Sequence, residues 1–390
     1  MKKLVLGAAA ALSTMVGSTA LQADTVKIGF LNTFSGRAAV FGKHQKDGFE
    51  LALDHLNRKV GGKGVEVIYG DDQRKPDAAR QEVDAMLKKH RVDFVVGITW
   101  SNILAAVQKP VVRSKTFLIS TNAGWSGMAG KQCSPYFFST SWNNDQTPES
   151  MGKLLQDEPI DNVYLLTANY QAGKDMLAGF QRYYKKNIAG KILYKLGQTD
   201  FQAEISQVRA KKPGAIFGFF PGGMGIAFVK QYKAAGLDKN IPLYTVFTVD
   251  HMTLKGHGKA AIGTFHTNYW DIDSENPVNQ RFIKDFIAKY DYHPSHFSAQ
   301  AYDAALLINS AVKAVGGDLS NKDGMRDEMR KANFDSIRGE FSYNNNHIPV
   351  QNFYKREVVA DADGNAKIVT RGVVFENHKD SHYQDCKMKW

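Results

Sequence analysis

Short apolar runs rich in β-formers alternate along this chain with longer segments whose apolar residues recur at helical spacing. Val26–Leu31 (VKIGFL) is the first run. Phe41–Lys59 follows, with Phe49, Ala52, Leu53 and Leu56 on one helical face and Gly61-Gly62 as its stop. Val65–Tyr69 reads as a strand. Pro76 opens a helix to about His90, with Ala79, Val83, Met86 and Leu87 as its stripe. Asp93–Val96, a helix over 102–113 and Thr116–Ser120 continue the series. After Trp142 the pattern starts again. Val163–Thr167, Lys191–Leu196, Ala215–Phe220 and Leu243–Phe247 read as strands, separated by helices near Gly173–Asn187, Ala203–Lys211 and Met224–Ala235. Such alternation predicts an α/β fold with parallel sheets covered on both faces. Two sets of βα units predict two lobes, divided near Thr140–Asn143.

The last quarter breaks the rhythm. Asn276–Tyr290 and Phe297–Val315 have helical periodicity. Gln351–Val359 and Lys367–Phe375 read as an antiparallel pair joined at Asp361-Ala362-Asp363-Gly364, which suits a sheet edge or a crossing between lobes.

The first residues have a different character. Lys2 and Lys3 precede an apolar run, Leu4–Val16, and small residues at Ala20 and Ala23 offer cleavage points. This is the anatomy of a signal peptide over 1–23. The run falls short of the about 20 residues that span a bilayer. The mature chain is therefore expected to be free in an exported compartment, and the periplasm is the one that retains a soluble carrier. Two cysteines far apart in sequence pair in such a compartment, so Cys133 and Cys386 are expected to form a disulfide.

The net charge of +11 is spread along the chain, as at Lys185-Lys186 and Lys211-Lys212. No basic block with interleaved aromatics speaks for nucleic acid. GFFPGGMGIAF has several glycines but not the G-x-G-x-x-G spacing of a dinucleotide loop, and no G-x-S-x-G elbow occurs. His251, His257 and His266, spaced by six and nine, suit no metal site and read as surface-loop histidines. No enzyme, cofactor or metal is expected.

Open α/β sheets bind ligands beyond the carboxyl ends of their strands. The loops there are Thr33-Phe34-Ser35-Gly36 with Phe41, Gly97–Asn102, and Ser120–Trp125. Each mixes hydroxyls, amides and small residues with a large aromatic. A helix beginning after Ser101 adds favourable partial charge for an anion. Phe41, Trp100 and Trp125 supply apolar walls.

At this point the chain resembles the periplasmic substrate-binding proteins of branched-chain amino acid ABC transporters. The marks are VKIGFLNTFSG, FGKHQKDGFELALDHLN, GGKGVEVIYGDDQRKPDAA, VDFVVGITWSN and FLISTNAG, in order and at family spacing. The resemblance implies the type I bilobed fold, with two doubly wound parallel-sheet lobes and a three-segment hinge near Ser139–Trp142, Asn268–Asp273 and Glu340–Tyr343. Lobe 1 would take 24–140 and 271–341, and lobe 2 would take 141–270 and 342–390. It implies a carboxylate held at Ser101-Asn102 and at Asn122-Ala123-Gly124, with Tyr170 closing from the second lobe. Phe220 and Phe247 match further second-lobe contacts. The partners implied are a small carboxylate and an inner-membrane permease, with the carrier a monomer. Amino-acid binders of the family place an acid in the loop matching Tyr244–Val249, and none stands there; only Asp250 is near. An ammonium buried without a carboxylate is costly. An aromatic acid is therefore expected ahead of leucine or valine. A ligand-sensing receptor domain has the same fold, but would carry a membrane helix and signalling module.

Overall fold

The computed structural model describes residues 25–388. The expected signal peptide lies outside the described residues. Two sheets form the frame. The first contains β1 (Val26–Asn32), β2 (Lys59–Val60), β3 (Lys63–Asp71), β4 (Phe94–Gly97), β5 (Phe117–Ser120) and β6 (Phe137–Ser139), in the order β2-β3-β1-β4-β5-β6. All its pairings are parallel except β2–β3. Helices α1 (Ala39–His55), α2 (Pro76–Asp84), α3 (Ser101–Arg113) and the short α4 (Ser126–Ala129) connect these strands. β4 and β5 are buried at every residue, as a parallel strand covered on both faces must be.

The second sheet contains β7 (Asn162–Ala168), β8 (Asn187–Tyr194), β9 (Ala215–Phe219), β10 (Leu243–Val246), β11 (Phe265–Asn268), β12 (Ser342–Tyr343), β13 (Pro349–Ala360) and β14 (Ala366–His378). Its order is β12-β13-β11-β10-β9-β7-β8, with β14 paired to β13. α5 (Gln146–Asp157), α6 (Gln171–Tyr183), α7 (Gln202–Lys211), α8 (Gly223–Ala234) and the short α9 (Leu254–His257) belong to this half. α10 (Pro277–Tyr290), α11 (His296–Ala314) and α12 (Lys322–Lys331) return to the first, with α11 packed along α1. Asn276 caps α10 by accepting from Val278 N, and Ser295 and Ser298 form a capping box on α11. The backbone thus passes between the sheets after β6, after β11 and after α12. A further link is covalent: Cys133 and Cys386 form a disulfide that joins the segment after α4 to the tail after β14.

Three expectations need correction. The helix expected over 41–59 ends at His55, and Lys59–Val60 pairs with Lys63–Gly64 as β2. Gly61 and Gly62, both at positive φ, are the turn of that hairpin and not a helix stop. The helix expected to Asn187 ends at Tyr183, and Asn187 opens β8. Two of the three histidines read as surface residues lie inside, and His251 is half-buried. His257 and His266 are buried, His266 because β11 is an interior strand between β10 and β13. Burial lowers His257 to about 4, and His266 well below the usual value.

Candidate ligand site between the lobes

The carboxyl ends of β4, β5, β7, β9 and β10 face a common space between the two sheets. It is a small cavity, and both lobes supply its wall. The first lobe contributes Phe41, Thr99, Trp100, Ser101, Asn122 and Phe297. The second contributes Tyr170, Ala172, Met176, Phe219, Pro221 and Phe247. Trp142 and Asn144, on the first crossing, complete the wall.

A polar web fixes the first lobe's loops. Thr121 Oγ1 donates to Gln45 Oε1 (2.5 Å), Gln45 Nε2 donates to Thr99 Oγ1 (2.7 Å), and Thr99 Oγ1 donates to Asn32 Oδ1 (2.5 Å). Trp100 Nε1 donates to Thr33 Oγ1 (2.9 Å), which donates to Asp72 (2.5 Å). Ile98 sits at φ 71° and Phe247 at φ 48°. Side chains rarely adopt this region, a β-branched one least of all, and such strain gathers at functional sites.

Ser101 opens α3. Its N–H and that of Asn102 have no acceptor among the described residues, because the first helical bonds begin at Ile103 and Leu104. Ser101 Oγ accepts from Asn144 Nδ2 (2.9 Å) and keeps its own proton to donate. Asn144 Nδ2 also donates to Asp175 Oδ2 on α6 (2.9 Å), so one chain of hydrogen bonds runs from the first lobe to the second. Burial raises the Asp175 carboxyl, against hydrogen bonds from Asn144, Gln171 and Ser126 that lower it.

Aromatic rings cover the rest. Phe41 meets Trp100 edge-on at 5.3 Å and Phe297 at 5.1 Å. Tyr170 stands 6.2 Å from Trp100 and 6.2 Å from Phe219. Trp142 stacks on Phe247 at 4.4 Å. Burial holds the Tyr170 phenol neutral, far above neutral pH. Two glycines permit this packing. A Cβ on Gly124 would lie 2.6 Å from Trp142 Cδ1, and one on Gly222, at φ +64°, would lie 2.8 Å from Phe41 Cζ.

Of the residues expected at the site, Phe41, Trp100, Ser101, Asn122, Tyr170 and Phe247 line the cavity, and Asn102, Ala123, Gly124, Trp125 and Phe220 do not. Ala123 N is committed to Ile98 O (2.9 Å), and Asn122 Nδ2 to Thr99 O (2.7 Å). Phe220 points into the second lobe, stacked on Tyr194 and Phe228, while its neighbour Phe219 faces the cavity. Thr99 and Pro221 lay within segments expected at the site without being singled out, and sequence reasoning missed Trp142, Asn144, Ala172, Met176, Phe219 and Phe297. Strand alternation was a usable signal for Phe219; Trp142 and Asn144 carried none, since a crossing segment has no period.

The wall holds no Asp or Glu. Asp250 faces elsewhere: its Oδ1 accepts from Thr253 N (2.9 Å) and Thr253 Oγ1 (3.0 Å), and burial raises it to about 6. His296 Nδ1 lies 3.8 Å from Asp250, but burial keeps that imidazole neutral, so the contact is not an ion pair at neutral pH.

Two α/β lobes, three crossings and a cavity between the lobes at the strand ends define a two-lobed solute-binding protein. Residues 25–365 match the periplasmic binding protein family, and the chain belongs to it; it is a solute-binding protein of ABC transporters. It is similar to Leu/Ile/Val-binding protein homolog 6 of Brucella melitensis, 27% identical over 93% of this chain and 95% of the other. It is also similar to a solved solute-binding protein of an ABC transporter from R. palustris in complex with benzoate. There the identity is 29% and the TM-score 0.88, over 94% of this chain and 100% of that one. A third, from Rhodopseudomonas palustris BisB5 with 3,4-dihydroxybenzoic acid, is 27% identical with a TM-score of 0.84, covering 92% and 99%. No helix among the described residues is long and apolar enough to cross a membrane.

Proposed function

We propose that this carrier captures an aromatic carboxylate in the periplasm and delivers it, as a monomer, to an inner-membrane permease. One observation carries the reading: the cavity combines the open N–H groups and hydroxyl at Ser101 with aromatic walls and no carboxylate. A helix N-terminus with a hydroxyl suits an anion. Aromatic faces suit a ring. An α-ammonium would find no charged partner in the wall, and its desolvation would go uncompensated. The benzoate and dihydroxybenzoate bound by two similar proteins agree with this. The branched-chain alternative rests on the Leu/Ile/Val-binding homologue, and the absent acid speaks against it.

Lobe 1 is assigned 24–140 and 271–341, and lobe 2 141–270 and 342–390. The carboxylate docks first on lobe 1. Lobe 2 then brings Tyr170, Phe219 and Phe247 over the ring, and contacts to both lobes favour the closed state. Calorimetry on ligand-stripped protein tests the reading. Benzoate, hydroxybenzoates or coumarate should bind, and leucine and valine should not. Tight leucine binding with none of the aromatic acids would overturn it.

A further inference from the structure

We propose that the ligand carries a ring hydroxyl, read by Asn122 and Trp142; this rests on the aromatic-acid reading above. Two residues of the cavity wall each hold a buried polar atom with no partner among the described residues: Asn122 Oδ1 and Trp142 Nε1. Asn122 is 9% exposed and Trp142 3%. Native proteins leave few such atoms unpaired, because a buried orphan loses its water without gaining a bond.

The roles of the two atoms are fixed. Asn122 Nδ2 donates to the Thr99 carbonyl at 2.7 Å, and turning the amide over would set two oxygens against each other. Oδ1 is therefore an acceptor in want of a donor. The indole N–H of Trp142 can only donate. Its ring is clamped between Phe247 at 4.4 Å and Tyr269 at 5.3 Å, so the N–H cannot turn away.

One acceptor and one donor are both met by a group that donates and accepts. A phenolic hydroxyl does so, donating its proton to Asn122 Oδ1 and accepting from Trp142 Nε1; two adjacent hydroxyls divide the task. A carboxylate cannot serve, since it would face Asn122 oxygen to oxygen. An alkyl side chain or a bare ring leaves both atoms orphaned. Trp142 lies on the first crossing, so the hydroxyl also joins the ring to the segment that bends.

Calorimetry on the ligand-stripped carrier compares benzoate with 3-hydroxybenzoate, 4-hydroxybenzoate and 3,4-dihydroxybenzoate. Sites built to bond a hydroxyl discriminate strongly against analogues that lack it. The best hydroxylated acid should bind at least about tenfold more tightly than benzoate. That preference should shrink to about twofold or less in Trp142→Phe and in Asn122→Leu. The quantity read is the ratio within each protein, so a general loss of affinity does not imitate the effect. Equal binding of all four acids to the parent means that a water satisfies the two atoms, and it overturns the hydroxyl reading while the aromatic-acid reading stands. A preference that survives both substitutions does the same. Leucine binding with none of the four acids overturns both readings.

Discussion

The two lobes bring different chemistry to the same cavity. The first offers Ser101 and the start of α3, with Phe41, Trp100 and Phe297 behind them. The second offers Tyr170, Ala172, Met176, Phe219, Pro221 and Phe247, with no charged residue and one hydroxyl. One lobe has the donors an acid needs, and the other has a cover for a ring. Such a division orders the events: a polar grip can form in the open state, whereas a ring is enclosed only on closure. Asn144 is where the two meet, since its amide bonds both Ser101 and Asp175.

The largest expected effect concerns the covalent tie between the halves. Cys133→Ser removes a disulfide spanning 253 residues of sequence. The loss should be about 3–5 kcal/mol of stability, seen as a lower denaturant midpoint. A loss under about 1 kcal/mol would mean the tail restrains neither lobe. The tail has other anchors that could hold it, including Asn346 Nδ2 to Asp380 (2.9 Å) and His382 Nε2 to Asp145 (2.9 Å).

Next comes Ser101→Ala, which tests the gripping lobe directly. Removing a hydroxyl that meets a carboxylate should cost about 2 kcal/mol of binding. The matching amide, which lacks the charge, should lose less, and calorimetry reads both. Equal losses would place the carboxylate elsewhere than at α3.

The first lobe's polar loops were legible because helix starts and strand-end loops carry signals of their own. Ser101 and Asn122 stand where a strand ends and small polar residues cluster. The second lobe's cover was less legible. Phe219 and Phe220 are adjacent aromatics after the same apolar run, and a one-residue shift of the strand end decides which faces the cavity. Trp142 and Asn144 belong to a crossing segment, where neither a period of two nor of 3.6 operates. The histidines misled for a related reason: polar residues between apolar runs look solvated, until an interior strand such as β11 encloses them.

Those histidines give the third prediction. The folded pKa of His257 is lowered by burial to about 4, against an ordinary 6.5. The unfolded chain therefore takes up the proton first, and stability is full above 6.5 and falls as pH drops toward 4. Between pH 6.5 and 5.5 this group alone should withdraw about 1 kcal/mol. Asp250 runs the other way: with its folded pKa raised to about 6 from 3.8, it favours the folded state as pH falls through that window. His257→Gln should flatten the acid limb of a melting-temperature profile. An unchanged slope would mean the second lobe's histidines share the proton uptake with others.

Tyr170→Phe is the smallest change and the sharpest test of the division between lobes. It keeps the ring, and with it the contacts to Trp100 and Phe219. It removes only a neutral phenol that bonds none of the described residues. If the second lobe acts as an apolar cover, an aromatic acid should bind within about 1 kcal/mol of the parent affinity. Tyr170→Ala should lose more, because the cover itself would then be missing. A loss from Tyr170→Phe as large as that from Ser101→Ala would mean that the phenol grips the acid too. The carboxylate would then be held from both sides, and closure would be driven by its charge as much as by burial of the ring.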